Sequence, residues 1–243
     1  YNGNTAYANI GTRQEQYDAQ ISVEQRDARS WYLSDDYKAT AAQGKGKREH
    51  TSKKDWRANL KVALTPNTTD EYSLNFVKQS GEKHGVGAVT GNSAISTWDW
   101  PKWDTWSVYW LSHTQLSADT YLKTRAYYNK FDNDLVAYTN VSLDTQNWTS
   151  VYDDNAKGVS VELGTEHFAN HTLKTALHWR RDNHTEWQIT HRSGFVEPKQ
   201  SAVEDVMSVA IEDTWHLTPK FDLVAGISRD VRRSKKAEEF AND

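Results

Sequence analysis

Three indoles and a cation fall within seven residues, Trp98-Asp99-Trp100-Pro101-Lys102-Trp103-Asp104. Exposed groups of large apolar side chains mark interaction surfaces, and indole faces beside an ammonium group hold flat, negatively charged molecules by stacking and ion pairing. A second segment, Arg180-Arg181-Asp182-Asn183-His184-Thr185-Glu186-Trp187, follows a stretch in which Lys174 and His178 share one parity. The candidate binding surface is therefore Trp98, Trp100, Lys102, Trp103, Arg180, Arg181, His184 and Trp187. The alternative for the indoles is structural: a place in an aromatic girdle, or packing of loop against loop. Acid–base chemistry is also available by residue type, since Asp35-Asp36, Asp153-Asp154, His184 and His191 could activate water. No spacing among them fixes a catalytic dyad or triad. His184 and His191 stand seven residues apart without the carboxylate pattern of a metal site. No catalytic residue, metal ligand or cofactor is assigned.

The elements that must carry these residues are legible in the alternation of side chains. Successive residues of a strand point to opposite sides of a sheet. Leu173, Thr175, Leu177 and Trp179 oppose Lys174, Ala176, His178 and Arg180, and Trp56, Ala58, Leu60, Val62 and Leu64 oppose Arg57, Asn59 and Lys61. The same split recurs at 17–24, 122–129 and 221–228. Tight-turn sequences interrupt the chain at 13–16, 65–70, 114–119, 167–171 and 216–220, about every fifty residues. The expected strands are 4–13, 17–33, 54–64, 71–79, 105–114, 120–131, 157–166, 172–181, 206–216 and 221–231. Long polar connections are then expected at 34–53, 80–104, 132–156 and 182–205. The binding residues fall in or beside these long loops. A propeller of similar period would need four short strands per repeat, and here each period holds two long ones.

One apolar face per strand fits a soluble sandwich or a membrane barrel. The strict alternation of short and long connections favours the barrel, which has short turns at one end and long loops at the other. The apolar rows approach the roughly 9 to 11 residues that a tilted strand needs to cross a bilayer. Tyr17, Tyr72 and Phe221 beside the short turns, and Trp56, Tyr128 and Trp179 beside the long loops, read as two interfacial belts. β-propensity alone is the alternative for those aromatics. Asp213 breaks the pattern by sharing parity with Val209, Ile211 and Trp215, which a local bulge would relieve.

Composition agrees. Mean hydropathy is -0.87 and no apolar run approaches a membrane helix or a secretory signal. The absence of cysteine excludes a disulfide framework and any thiolate site. A net charge of -4 argues against nucleic acid as a partner, and the basic group Lys45, Lys47 and Arg48 is expected to be a solvated loop face.

The run from Tyr152 to Leu163, ending Lys157-Gly158-Val159-Ser160-Val161-Glu162-Leu163, with the following turn and Leu173-Lys174-Thr175-Ala176-Leu177, resembles a hairpin of the TonB-dependent outer-membrane receptors. The strand from Tyr121 to Leu135 is similar to the one preceding that hairpin, and Leu64-Thr65-Pro66 and Leu217-Thr218-Pro219 resemble the family's periplasmic turns. Detail is confined to 121–177, where Ser160 is an insertion that moves Glu162 one place along. The resemblance implies an all-β chain: an antiparallel meander of about ten long strands, part of a transmembrane β-barrel of 22. Residues 1–243 would be an internal portion of that barrel, without its plug domain. It also implies residence in the bacterial outer membrane, contact with membrane lipid, uptake of a ferric siderophore or similar nutrient, and coupling to TonB through the missing plug region. The alternative is a complete ten-stranded barrel, an omptin-like protease or a porin or adhesin, closed between its first and last strands.

Overall fold

Backbone groups that face lipid or water without a helix must be paired between strands, and this chain pairs them in a single antiparallel meander. In the computed structural model, which describes residues 2–41, 43–85, 97–140 and 142–241, ten long strands follow one another. They are β1 (Asn2–Arg13), β2 (Tyr17–Tyr32), β4 (Lys53–Leu64), β5 (Glu71–His84), β6 (Thr97–Ser117), β7 (Thr120–Tyr138), β8 (Gln146–Thr165), β9 (His171–Thr190), β11 (Gln200–Thr218) and β12 (Phe221–Ala237). Two-residue strands β3 (Lys47–Arg48) and β10 (Phe195–Val196) pair with β2 and β9. Each long strand pairs only with its neighbours in the chain, and β1 and β12 do not meet. Closure of these ten strands on themselves is therefore not what the sheet shows among the described residues.

The register fixes the two faces. Leu60, Phe76 and Val108 are successive cross-strand partners, as are Val161, Leu177 and Val209, so the apolar rows align across the sheet. Lys123 lies opposite Glu162, Lys174 opposite Glu212 and Lys61 opposite Gln20, so the charged rows align on the other side. Among the described residues no second layer covers either face. Leu60 and Leu177 remain 44% and 43% exposed, whereas small polar-face residues such as Ala63 (1%) and Ser73 (3%) are buried. That contrast arises because side chains converge on the polar face and splay on the apolar one: the polar face is concave.

Ion pairs and hydrogen bonds knit the polar face, including Lys123 with Glu162 at 3.4 Å, Lys174 with Glu212 at 3.4 Å and Ser160 with His178 at 2.7 Å. Each exposed pair contributes at most about 1 kcal/mol. Ser160 sits in unbroken register and needs no bulge. Nor does Asp213, which lies on the apolar parity opposite Leu173 and pairs with His171 at 2.8 Å, while His171 stacks on Trp215. The nearby bulge falls between His216 and Thr218 instead.

The short turns occupy one end, at 14–16, 65–70, 118–119, 166–170 and 219–220. Adjacent turns bind one another: Thr65 N donates to Gln16 O, Glu166 N to Asp119 O and His216 N to Asn170 O. Hydrogen bonds from Ser117 and then His167 draw the Asp119 carboxyl down to about 2.

From β5 onward the strands run well past the expected boundaries at the other end. The first connection, 33–52, keeps its expected length, whereas the others shrink to 85–96, 139–145 and 191–199; residues 42, 86–96 and 141 lie outside the described residues. Tyr128 and Trp179 thus lie well within strands rather than beside loops, while Trp56 stays near the start of β4; Phe76 and Trp106 share the same face, the latter with its ring 5.2 Å from that of Tyr128. The basic loop group is also not wholly solvated: Arg48 is buried against Gln43, in the strand that pairs with Trp31 and Tyr32.

An apolar face with no protein layer over it belongs against lipid. Replacing Leu177 with Arg at mid-row is expected to cost about 2 to 4 kcal/mol in a bilayer, and Lys174→Arg on the concave face little. Refolding titrations into lipid vesicles measure both, and equal sensitivity would contradict the assigned faces.

Candidate functional site

One extra residue in β6 assembles the aromatic cluster. In a regular strand Trp100 and Trp103 would point to opposite sides. Pro101 cannot donate to a ladder, and β6 bulges between Asp99 and Lys102 against β7. The extra residue brings Trp98, opposite Ala137, and Trp103, opposite Asn133, onto the same concave face, and turns Lys102 to the convex side opposite Asp134. The same extra residue of β6 shifts its pairing with β5, from Gln79 opposite Thr105 to Lys83 opposite Trp100, while β5 keeps unbroken register with β4 and Lys83 stays on the concave parity. Gly81 on β5 lies opposite Asp55, where an added Cβ would lie 2.7 Å from Asp55 Cβ and 2.8 Å from the Lys54 carbonyl oxygen.

The result is a cation held on indoles. Lys83 Nζ lies 3.1 Å from the Trp103 ring centre and 4.8 Å from that of Trp100. Trp103 meets Trp100 and Phe131 edge-on, at 6.3 and 4.8 Å. Trp98 packs against Trp148 farther up the wall, at 6.3 Å. Phe76 is the last residue of the apolar row on β5, and Lys83 lies roughly 20 Å beyond it at about 3.3 Å per residue. Burial, then repulsion from Lys53 on the adjacent strand, lowers the Lys83 ammonium below its ordinary range.

Beside this cluster a cleft of about 370 Å³ opens on the concave face, lined by Thr105, Ser107, Phe131, Asp154, Asp182 and His184. His184 Nδ1 lies 2.6 Å from Asp154 and its Nε2 3.4 Å from Glu186. Arg180 lies 2.8 Å from Asp182. The site is thus an aromatic wall with one cation, bordered by carboxylates already paired with His184 and Arg180. It can stack a flat ligand and place one positive charge against it.

The structure divides the eight residues expected to bind. All eight lie on β6 or β9 rather than in loops. Trp98, Trp100, Trp103, Arg180 and His184 share the concave face. Lys102, Arg181 and Trp187 face the other way; Arg181 binds Asp205 through two hydrogen bonds of 2.7 and 2.9 Å, and Lys199 covers the Trp187 ring. Adjacent strand residues alternate, so Arg180 and Arg181 could never have acted on one ligand together. Sequence reasoning missed Lys83, whose proximity to Trp100 and Trp103 depends on the β6 bulge. The acid–base candidates also separate: Asp154 meets His184, but Asp153 binds Lys130 on the convex side and His191 bonds Thr149 at 2.8 Å.

This sheet recurs in solved structures. The chain superposes on the copper transporter OprC with a TM-score of 0.70 at 15% identity, over 96% of this chain and 37% of that one. It matches the ferric-catecholate import receptor Fiu of E. coli K12 in its closed form with a TM-score of 0.68 at 10% identity, covering 95% and 39%. The ferric yersiniabactin uptake receptor FyuA of Yersinia pestis gives 0.63 at 10%, covering 96% and 38%. The chain has the fold of part of an outer-membrane β-barrel. The resemblance to TonB-dependent receptors seen in the sequence therefore extends to the fold. The chain spans about two-fifths of the length of these structures. No protein-family model matches the sequence, and no curated protein matches it significantly.

Relieving either cause of its depression should raise the Lys83 titration toward the ordinary lysine range. Trp103→Leu removes the desolvating indole and Lys53→Gln the like charge. Reductive methylation across a pH series, read at Lys83 by mass spectrometry, is expected to shift to higher pH in both variants; unchanged profiles would remove Lys83 from the cluster.

Proposed function

We propose that this chain forms part of the wall of a TonB-dependent receptor in the bacterial outer membrane, importing a ferric siderophore or a similar chelated nutrient. Its role in this reading is capture and passage rather than catalysis. The plug, and with it the engagement of TonB, would come from outside these residues. The carrying observation is the concave cluster of Lys83, Trp100, Trp103 and Phe131. An importer meets its ligand at the end of the barrel beyond the lipid-facing rows, and there this wall offers flat stacking surfaces with one cation in a cleft-lined, water-facing position. Ferric chelates with catecholate or hydroxamate arms present flat groups, often with net negative charge, for such a surface. The solved structures whose fold it shares include a ferric-catecholate import receptor, a ferric yersiniabactin uptake receptor and a copper transporter. Fold alone does not choose among such ligands; the aromatic and cationic side chains support the anionic chelate.

Each stacking or cation contact typically contributes about 0.5 to 2 kcal/mol. A joint Lys83→Ala and Trp103→Ala change in the intact receptor is therefore expected to weaken binding roughly tenfold or more. Arg181→Ala, on the convex face, should leave it unchanged. Titration of a panel of ferric siderophores against tryptophan fluorescence supplies the measurement. If no chelate binds, or if the double variant binds its chelate as tightly as the parent, the proposal fails.

A further inference from the structure

The cation on the indoles has a like-charged neighbour. β4 and β5 keep unbroken register to their outer end, which sets Lys53 directly opposite Lys83 on the concave face. His84 N donates to Ser52 O at 3.1 Å, so the ladder continues past the pair and holds it in place. The row across β2, β4, β5 and β6 then reads Ala28, Lys53, Lys83, Trp100. The two charges feel each other: after burial, Lys53 is what lowers the Lys83 ammonium. Like charges directly opposite one another destabilise a strand pair, and nothing within the described sheet offsets that cost here.

The carboxylates nearby are committed elsewhere. Asp55, two places from Lys53, is bound by Arg26 at 2.8 Å. Glu82 and Asp99 take the convex parity, where Asp99 bonds His84. Across the cleft Asp154 is held by His184 at 2.6 Å and Asp182 by Arg180 at 2.8 Å. Lys53 and Lys83 themselves form no ion pair with a carboxylate among the described residues. Two ammonium groups on opposed residues, whose Cβ atoms stand about 5 Å apart, can each donate at about 2.8 Å to an oxygen of one carboxylate lying between them. Trp100 borders the pair on the next strand, so a flat ring attached to that carboxylate meets indole.

We propose that Lys53 and Lys83 form a two-point clamp for a free carboxylate, so that the ligand of this wall is a flat chelate carrying a carboxylate that its metal does not use. The inference rests on the capture reading and narrows it. A neutral chelate, or one whose anionic oxygens all bind the metal, leaves the two ammonium groups facing each other; a chelate with a carboxylate at its outer edge relieves them. Lys53 thereby determines specificity at a wall whose indoles hold only Lys83.

The test uses the intact receptor in nanodiscs and two ferric probes of one shape: the tris complex of a hydroxyquinoline bearing a carboxylate on its far ring edge, and that of the matching carboxamide. Both chelators hold iron through the ring nitrogen and the phenolate oxygen, so only the edge group differs. Equilibrium dialysis, with iron counted after subtraction of empty nanodiscs, is expected to show the carboxylate complex held at least about tenfold more tightly, since one hydrogen bond between charged groups typically gives about that factor. Lys53→Gln should remove most of this preference while leaving the carboxamide complex bound as in the parent, which also shows that the wall is intact. Lys61→Gln, which takes the same charge from the same strand and face, should keep the preference. A parent that holds the two complexes alike, a Lys53→Gln variant that keeps the preference, or a Lys61→Gln variant that loses as much overturns the clamp. Probes bound without preference sink the clamp and spare the capture reading. A receptor that holds neither probe also overturns the clamp, and if it binds no ferric siderophore either, the capture reading falls with it.

Discussion

Everything in this structure depends on a single sheet having to satisfy its backbone while leaving one face without a protein partner. Cross-strand hydrogen bonds complete the first requirement, and they impose the two-residue period that sends every side chain to one side or the other. Once the row of Leu60, Phe76 and Val108 is committed to the convex face, Lys61, Asn75 and Tyr109 have no choice but the concave one. Register and chemistry are therefore one constraint: a slip of one residue would put lysines into lipid and leucines into water.

That constraint explains what could be read from the chain and what could not. The ten strands and the tight turns were legible because alternation between apolar and polar is strong where one face meets lipid. Beyond the belt of Trp56, Phe76, Trp106, Tyr128 and Trp179 both faces meet water, and the alternation vanishes although the ladder continues. Residues 132–138, 146–156 and 182–190 therefore look like loops in the sequence and are strands in the structure. Part of the error at the residues expected to bind has the same origin: Trp187, expected in a loop, lies on β9 and turns outward, whereas Arg180 and Arg181 already alternate within the expected strand 172–181.

Bulges were the second blind spot. Parity counted through Pro101 groups Lys102 with Trp98 and Trp100 and sets Trp103 against them; the observed grouping is the reverse for Lys102 and Trp103. Pro101 itself was the available signal, since a proline inside a strand points to an edge or a bulge. Nothing comparable announced Lys83, which keeps regular register on β5 and meets the indoles because the extra residue of β6 sets Trp100 opposite it. At Asp213 the opposite happened: an apparent violation that suggested a bulge is accommodated in regular register by His171.

The bulge at Pro101 also has a bearing on how such a wall changes over generations. Because the break lies beyond the lipid-facing rows, a single-codon insertion or deletion there would exchange the inward and outward sets on the outermost segment of β6 while the rows nearer the short turns kept their register. In a strand without a bulge the same event would have to be absorbed along the whole lipid-facing length. The inward set beyond the lipid-facing rows and the rows themselves are thereby separable heritable traits on one strand, and the inward set can drift by changes of length as well as of residue.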